Sequence, residues 1–342
     1  MSELRSQVIE LPDYLAVMED YYRRGWTDGL PIVPPTRELV EEFLQAAARD
    51  PDEMIAIVPT RNRRITAEKV AINCVMAGCQ ASYFKVVLGI LEAMAAAEFN
   101  FHGSITSTGG SAQLVVVNGP IRHQLGLNAG VNLFGPGNRA NATIGRAIRL
   151  VLINVCGAVP GVLDQSTMGH GGKYSMVIGE DEENSPWPPL SVDLGRDPDS
   201  NAVTVFAAEG PHSVQDHFSN TSEDVLNAIA MEMASAGSWS TGQSAVIIAP
   251  EHRRLLARDN WSRTAIQEYL YEHTTRTVGE LRQAGKLPPK TEEEDEHEVR
   301  HRGTGPADIL VVAAGGTAGG HSAFIPAWSR GRNSLFVTRT IS

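Results

Sequence analysis

The chain has 342 residues, which at roughly 100–200 residues per domain points to two domains or one large domain with an appendage. Lysines and arginines number 29 against 40 aspartates and glutamates; the resulting net charge of −11 argues against sequence-independent binding to DNA or RNA, which needs a basic surface. With 42% hydrophobic and 20% charged residues, the composition is that of a globular protein and excludes a largely disordered one.

The first 25 residues mix charged and apolar side chains, so no signal peptide is expected. No run of about 18 apolar residues follows, so no membrane span is expected either, and a cytoplasmic location is the expectation. Within this stretch Tyr14, Leu15, Met18, Tyr21 and Tyr22 recur with helical period over residues 12–24, up to Gly25. Residues 25–36 contain Pro31, Pro34 and Pro35 and read as an extended, rigid arm. Thr36 then caps a helix to about residue 48. Residues 66–77 and 83–97 read as buried helices. Residues 114–117 form a short all-apolar run between turn residues, the pattern of a strand buried on both faces. A helix is expected over about 141–155, strands over 176–179 and 203–207, a helix over 221–236, a strand over 245–249, and mostly helix over 254–272. Residues 290–302 carry Glu292, Glu293, Glu294, Asp295, Glu296 and Glu298 and read as a solvated linker or arm. Residues 309–313 read as a strand opening the glycine-rich turn at 315–320.

A weak internal repeat runs through this order. A helix, the turn Ser107-Thr108-Gly109-Gly110-Ser111-Ala112 and an apolar strand have a counterpart in a helix, Ser240-Thr241-Gly242-Gln243-Ser244-Ala245 and another apolar strand. In front of the two helices, Ala77-Gly78-Cys79 lies where Glu209-Gly210-Pro211-His212 lies in the second copy. The expected fold is therefore α/β, with two similar halves and a C-terminal strand and glycine-loop segment packed on them. The expected units are residues 1–200, 201–285, an acidic linker at 286–305 and a C-terminal segment at 306–342. A site between the halves would draw on both.

Chemistry concentrates between Asp164 and Trp187. Glycines flank His170 and Lys173, which can act as general acid or base, with Glu180 or Glu183 to orient them. Ser175 and Trp187 would line the substrate. Arg139, with Asn141 and Arg146 at a helix entry, would hold an anion. The competing reading is a structural helix cap with both arginines in salt bridges. Three cysteines are too few, and odd in number, for a disulfide framework, so free thiols in a reducing compartment are expected. Cys74 and Cys156 read as core, while Cys79, after Gly78 at a helix end, is the candidate nucleophile. A divalent metal ion on His102, His170, His212 or His217 is the alternative. His212 and His217 lie five residues apart, which is wrong for one helical face, so a metal would need ligands gathered from afar.

Several longer motifs together resemble an uncharacterised bacterial family. They are Gly-Trp-Thr-Asp-Gly-Leu-Pro-Ile-Val-Pro-Pro-Thr at 25–36, Met-Ala-Gly-Cys at 76–79, the helix entry at 139–147, Gly-His-Gly-Gly-Lys-Tyr-Ser at 169–175 and Glu-Glu-Asn-Ser-Pro-Trp at 182–187. The tail at 314–328 resembles the domain of the UGSC-motif selenoprotein-related group. That resemblance implies thiol or selenol redox chemistry, but this chain has no Cys-Gly-Ser-Cys, so either a partner subunit supplies that motif or the chemistry differs. The expected activity is cleavage or reduction of a carbon–heteroatom bond in a small anionic substrate by acid–base, thiol-assisted chemistry, as a lyase or oxidoreductase. The alternatives are a metal-dependent lyase or hydrolase and a non-catalytic subunit of a heteromeric enzyme. A homo- or hetero-oligomer is expected.

Overall fold

The computed structural model describes residues 3–290 and 295–342. Helix α1 (Tyr14–Arg24) begins on the Asp13 carboxylate, which accepts from the Ala16 N–H at 2.9 Å, and ends where Gly25 turns left-handed at φ 69°. The proline-rich arm follows, and Thr36 caps α2 (Arg37–Ala46). A hairpin of β1 (Met54–Val58) and β2 (Arg63–Thr66) leads into the buried helices α3 (Ala67–Ala77) and α4 (Phe84–Met94). The short α5 (Phe101–Thr106), β3 (Ala112–Asn118), the short α6 (Ile121–Leu125) and the long α7 (Arg139–Asn154), capped by Asn138, come next. The first half closes with β4 (Val177–Gly179), α8 (Leu190–Asp193) and β5 (Ala202–Ala208). Then come β6 (His212–Gln215), α9 (Ser222–Ser235), β7 (Ser244–Ile248), α10 (Pro250–Arg258) and α11 (Arg263–His273). A ribbon of β8 (Thr275–Thr277) and β9 (Val299–His301), with α12 (Val278–Gln283) between them, precedes β10 (Ile309–Ala313), β11 (His321–Ile325) and β12 (Val337–Thr340).

The fold is α/β, in four layers. Along β3, Ala112, Leu114 and Val116 face a central core, while Val115 and Val117 face helices α2, α3, α4 and α7. Along β7 and β10, Ala245, Ile247, Leu310 and Val312 join the same central core, while Val246, Ile248, Ile309 and Val311 face α9 and α11. Two sheets thus pack face to face with a helical layer outside each. Both faces of β7, of β10 and of residues 114–117 in β3 are buried, which is why their apolar runs have no polar alternation.

The two sheets have one strand order. The first is β12-β5-β3-β4 and the second β6-β11-β7-β10. In both, the central pair and the outer antiparallel strand match, and the far edge strand runs parallel to its neighbour. The turns 107–112 and 240–245 each enter a corresponding strand, β3 or β7. The outermost strands are exchanged: β5 runs into β6, which pairs in the second sheet, and β11 leads to β12, which pairs in the first. The two connections pair with each other through the Ala208–Ala327 bridge and a Glu209 N–H bond to the Pro326 carbonyl at 3.0 Å.

This exchange differs from the expected division of the chain. A boundary at residue 200 would separate β5 from β3, yet the two pair along seven residues. The C-terminal segment supplies strands to both sheets instead of packing on them. Of the expected acidic linker, Glu292, Glu293 and Glu294 lie outside the described residues, while Val299–His301 forms a strand and Glu296 pairs with Arg282. Among the described residues, no helix is long and apolar enough to cross a membrane.

Candidate functional site

Between α7 and β4 the chain runs through residues 155–176 with a single 3-10 turn, Gly171–Lys173. Irregular stretches of this length inside a compact fold commonly carry function. Asp164 pins this one. Its carboxylate accepts from Lys173 Nζ at 2.7 and 2.9 Å, from Arg149 Nη2 at 2.8 Å and from the Ser166 hydroxyl at 2.6 Å. Burial works to raise the Asp164 carboxyl, but the bonds from Lys173, Ser166 and Arg149 outweigh it and hold it well below the usual range. Burial lowers the Lys173 ammonium, against the pull of Asp164. Two cations face one carboxylate, so the cluster keeps a surplus positive charge.

His170 stands in the same loop, walled by glycine backbone. A Cβ on Gly110 would lie 3.4 Å from its Cδ2, one on Gly210 3.3 Å from its Nδ1, and one on Gly172 2.8 Å from its Cε1. The Gly172 N–H donates to Nδ1 at 3.2 Å. Nε2 is buried and makes no hydrogen bond to any described residue. The neighbouring Ser111 hydroxyl, beside Gly110, is likewise buried and unpaired. Burial lowers the imidazole's pKa, and the Lys173 charge adds to this, while the Gly110 and Ala208 backbone and the Glu209 charge work against it.

The connection between β5 and β6 borders this ring. Glu209 accepts from the Ser238 N–H at 3.4 Å through Oε1. Beyond it lies the buried Arg302, which donates to the carbonyls of Met233, Ala236 and Ser238 and stacks on Phe324 and Trp239. Burial pushes Arg302 down to about 10, with Glu209 opposing. Trp328, from the connection to β12, packs beside Gly109. Residues of both halves therefore meet around His170 and Glu209.

His170 and Lys173 are thus placed together, but most of the other candidates are not with them. Arg146 binds Asp28 through two bonds at 2.8 and 2.9 Å and the Pro31 carbonyl at 2.7 Å, so it fastens the proline-rich arm and is no anion ligand. Arg139 donates from Nε and Nη2 to the Gly78 carbonyl, capping α3. Asn141 is saturated by Asn128 and the Val177 carbonyl. Ser175 donates to the Asn141 carbonyl and packs on Gly145. Trp187 is core, with its indole N–H on the Trp261 carbonyl at 2.8 Å. Glu180 is fully buried and ties Asn118, Leu190 and Arg263 together. Glu183 sits outside, where Arg122 and His123 lower its pKa to about 2. Cys79 is buried, and its thiol donates to the Thr143 carbonyl at 3.3 Å. No local sequence pattern marks Asp164, Arg149 or Glu209 as site residues, although Asp164 opens the glycine-rich stretch and Glu209 lies beside the Gly210 turn.

The four histidines proposed as metal ligands are not gathered. Among the described residues, no three His, Cys, Asp or Glu side chains are grouped to hold a metal ion. A ligating imidazole normally donates its second N–H outward. His170 and His217 do the reverse, accepting at Nδ1 from the Gly172 and Gly320 N–H groups. His212 sits on Phe324, 3.7 Å from Glu232, and His102 has its own buried, unpaired Nδ1. Two clefts of about 300 and 730 Å³ flank α9, and neither is lined by His170, Lys173 or Glu209.

No protein-family model, curated protein or solved structure matches the chain.

Proposed function

We propose that the protein is an acid–base enzyme that cleaves a carbon–heteroatom bond of a small anionic substrate, with His170 as the hydrogen-bond donor at its centre. The setting of the imidazole carries this reading. Nδ1 takes the Gly172 N–H, so the one proton of the neutral ring sits on Nε2, which is buried and unpaired. A neutral N–H held in this way stabilises charge developing on a substrate oxygen without first losing its proton. The surplus positive charge of Arg149 and Lys173 over Asp164 favours an anion nearby. Lys173, engaged by Asp164 and Ser166, contributes charge and loop position and takes no proton. Internal duplication is part of the same reading. The matched strand orders and the paired Ser-Thr-Gly turns support it, and His170 is then read as lying beside the connections that carry strands from one sheet to the other.

The test is a panel of small carboxylates bearing a hydroxyl, amino or chloro group on the β-carbon, followed by proton NMR. The expected result is loss of that group from at least one member. His170→Asn keeps an acceptor near the Nδ1 position and removes Nε2–H, so it should slow turnover by about 10²–10³-fold. No turnover anywhere in the panel, or equal turnover in the variant, overturns the reading.

A further inference from the structure

Glu209 lies on the β5–β6 connection, which passes from the first sheet to the second beside His170. Glycines clear the space on both sides of it. A Cβ on Gly237 would come within 2.8 Å of Glu209 Oε2, and the next residue along, Gly210, passes the His170 ring. Oε1 receives the Ser238 N–H, which orients the carboxylate. Oε2 accepts no hydrogen bond from any described residue, because the donors of nearby Arg302 are directed to backbone carbonyls instead. One carboxylate oxygen is therefore left without a hydrogen-bond partner among the described residues, on the connection that borders the His170 ring and close enough for its charge to act on both His170 and Arg302.

We propose that Glu209 is the base of the site, taking a proton from the carbon next to the substrate's carbonyl group while His170 Nε2–H stabilises the oxygen that gains charge. This deepens the proposed function and rests on it. The C–H bond breaks, its proton goes to Oε2, and its electron pair forms the C=C bond of an enolate whose charge lies on the oxygen facing His170. The pair then returns and expels the heteroatom from the adjacent carbon with the electrons of its own bond. The proton held by Glu209 passes to that leaving group, so no other reactant is consumed. The substrate class is a small acid with an acidic C–H beside a carbonyl and a leaving group one carbon further on. A carboxylate base paired with a neutral imidazole donor is a known way to run such chemistry near neutral pH.

Proton abstraction can be read without turnover, as exchange of carbon-bound hydrogen in heavy water. Pyruvate, 2-oxobutyrate and acetoacetate serve as probes, followed by NMR against a protein-free blank. The wild type should accelerate exchange of at least one. Glu209→Gln keeps the Ser238 bond and should lose the acceleration by about 10²-fold or more, with Glu209→Asp recovering part of it. Exchange at the blank rate with all three probes overturns the inference, as does equal exchange in Glu209→Gln. If His170→Asn loses exchange and Glu209→Gln does not, Glu209 is not the base and the role of His170 stands. If neither variant matters, both proposals fall. If exchange depends on Glu209 while the β-substituted panel stays intact, the base stands and bond cleavage falls. Should Glu209→Gln not fold, Glu209→Asp reads the same position: exchange at the full wild-type rate with the carboxylate drawn back by one methylene overturns the inference.

Discussion

The Gly172 N–H donates to His170 Nδ1 at 3.2 Å, and this bond decides which ring nitrogen can meet a ligand. Nitrogen-15 NMR at pH 7 should find a neutral ring with its proton on Nε2. Burial holds the folded pKa below the ordinary value of about 6.5. The unfolded chain therefore binds a proton that the native ring resists. The ring's contribution to stability is complete above about pH 6.5, falls as pH drops through that value, and levels off below the folded pKa. A ring charged at pH 7, or protonated on Nδ1, would contradict this.

Replacing Asp164 by Asn should leave Lys173 and Arg149 without their shared carboxylate. Breaking a buried pair of this kind costs about 3–5 kcal/mol. Urea denaturation measures the loss, and faster amide exchange over residues 165–173 should accompany it. The Asp164 carboxyl is held low in the native state, so its contribution is present above about pH 3.9 and lost as pH falls through the folded value. A loss under about 1 kcal/mol would show that the cluster does not pin the loop.

Glu180 accepts from Asn118, the Leu190 N–H and Arg263, joining β3 and α8 to α11. Glu180→Ala strands those buried donors and should destabilise the fold by about 3 kcal/mol. The thermal midpoint reads this directly. An unchanged midpoint would mean that the buried carboxylate is not a structural tie.

Native protein should resist alkylation at all three cysteines. Cys74, Cys79 and Cys156 are buried, and burial pushes the Cys156 thiol up to about 12. Peptide mapping after iodoacetamide should find label only when urea is present. Rapid native labelling of Cys79 would restore a thiol to the chemistry.

Local structure was largely legible in the sequence. The run at 114–117 announced a doubly buried strand because neither face of β3 meets water. Gly25 and Thr36 marked helix ends through conformations and bonds that involve only near neighbours. The edge strands β6 and β12 were not legible, since His-Ser-Val-Gln and Val-Thr-Arg-Thr bury little and carry no apolar run. Arg146 illustrates the same limit in the site. A cation near a helix entry was visible, but its partner Asp28 lies 118 residues away. Trp187 looked like a ligand wall until the packing of α11 enclosed it.

Residue order and composition suffice for the α/β character, most helices, the strands β3, β4, β5, β7 and β10, and the glycine-flanked His170 and Lys173. Folding in three dimensions is needed to see that β6 and β12 change sheets, that Asp164 holds Lys173, and that Gly110 and Gly210 close on one imidazole beside Glu209. Propensities and caps act over a few residues, whereas strand partners, charge pairs and close backbone approaches form through space between distant segments.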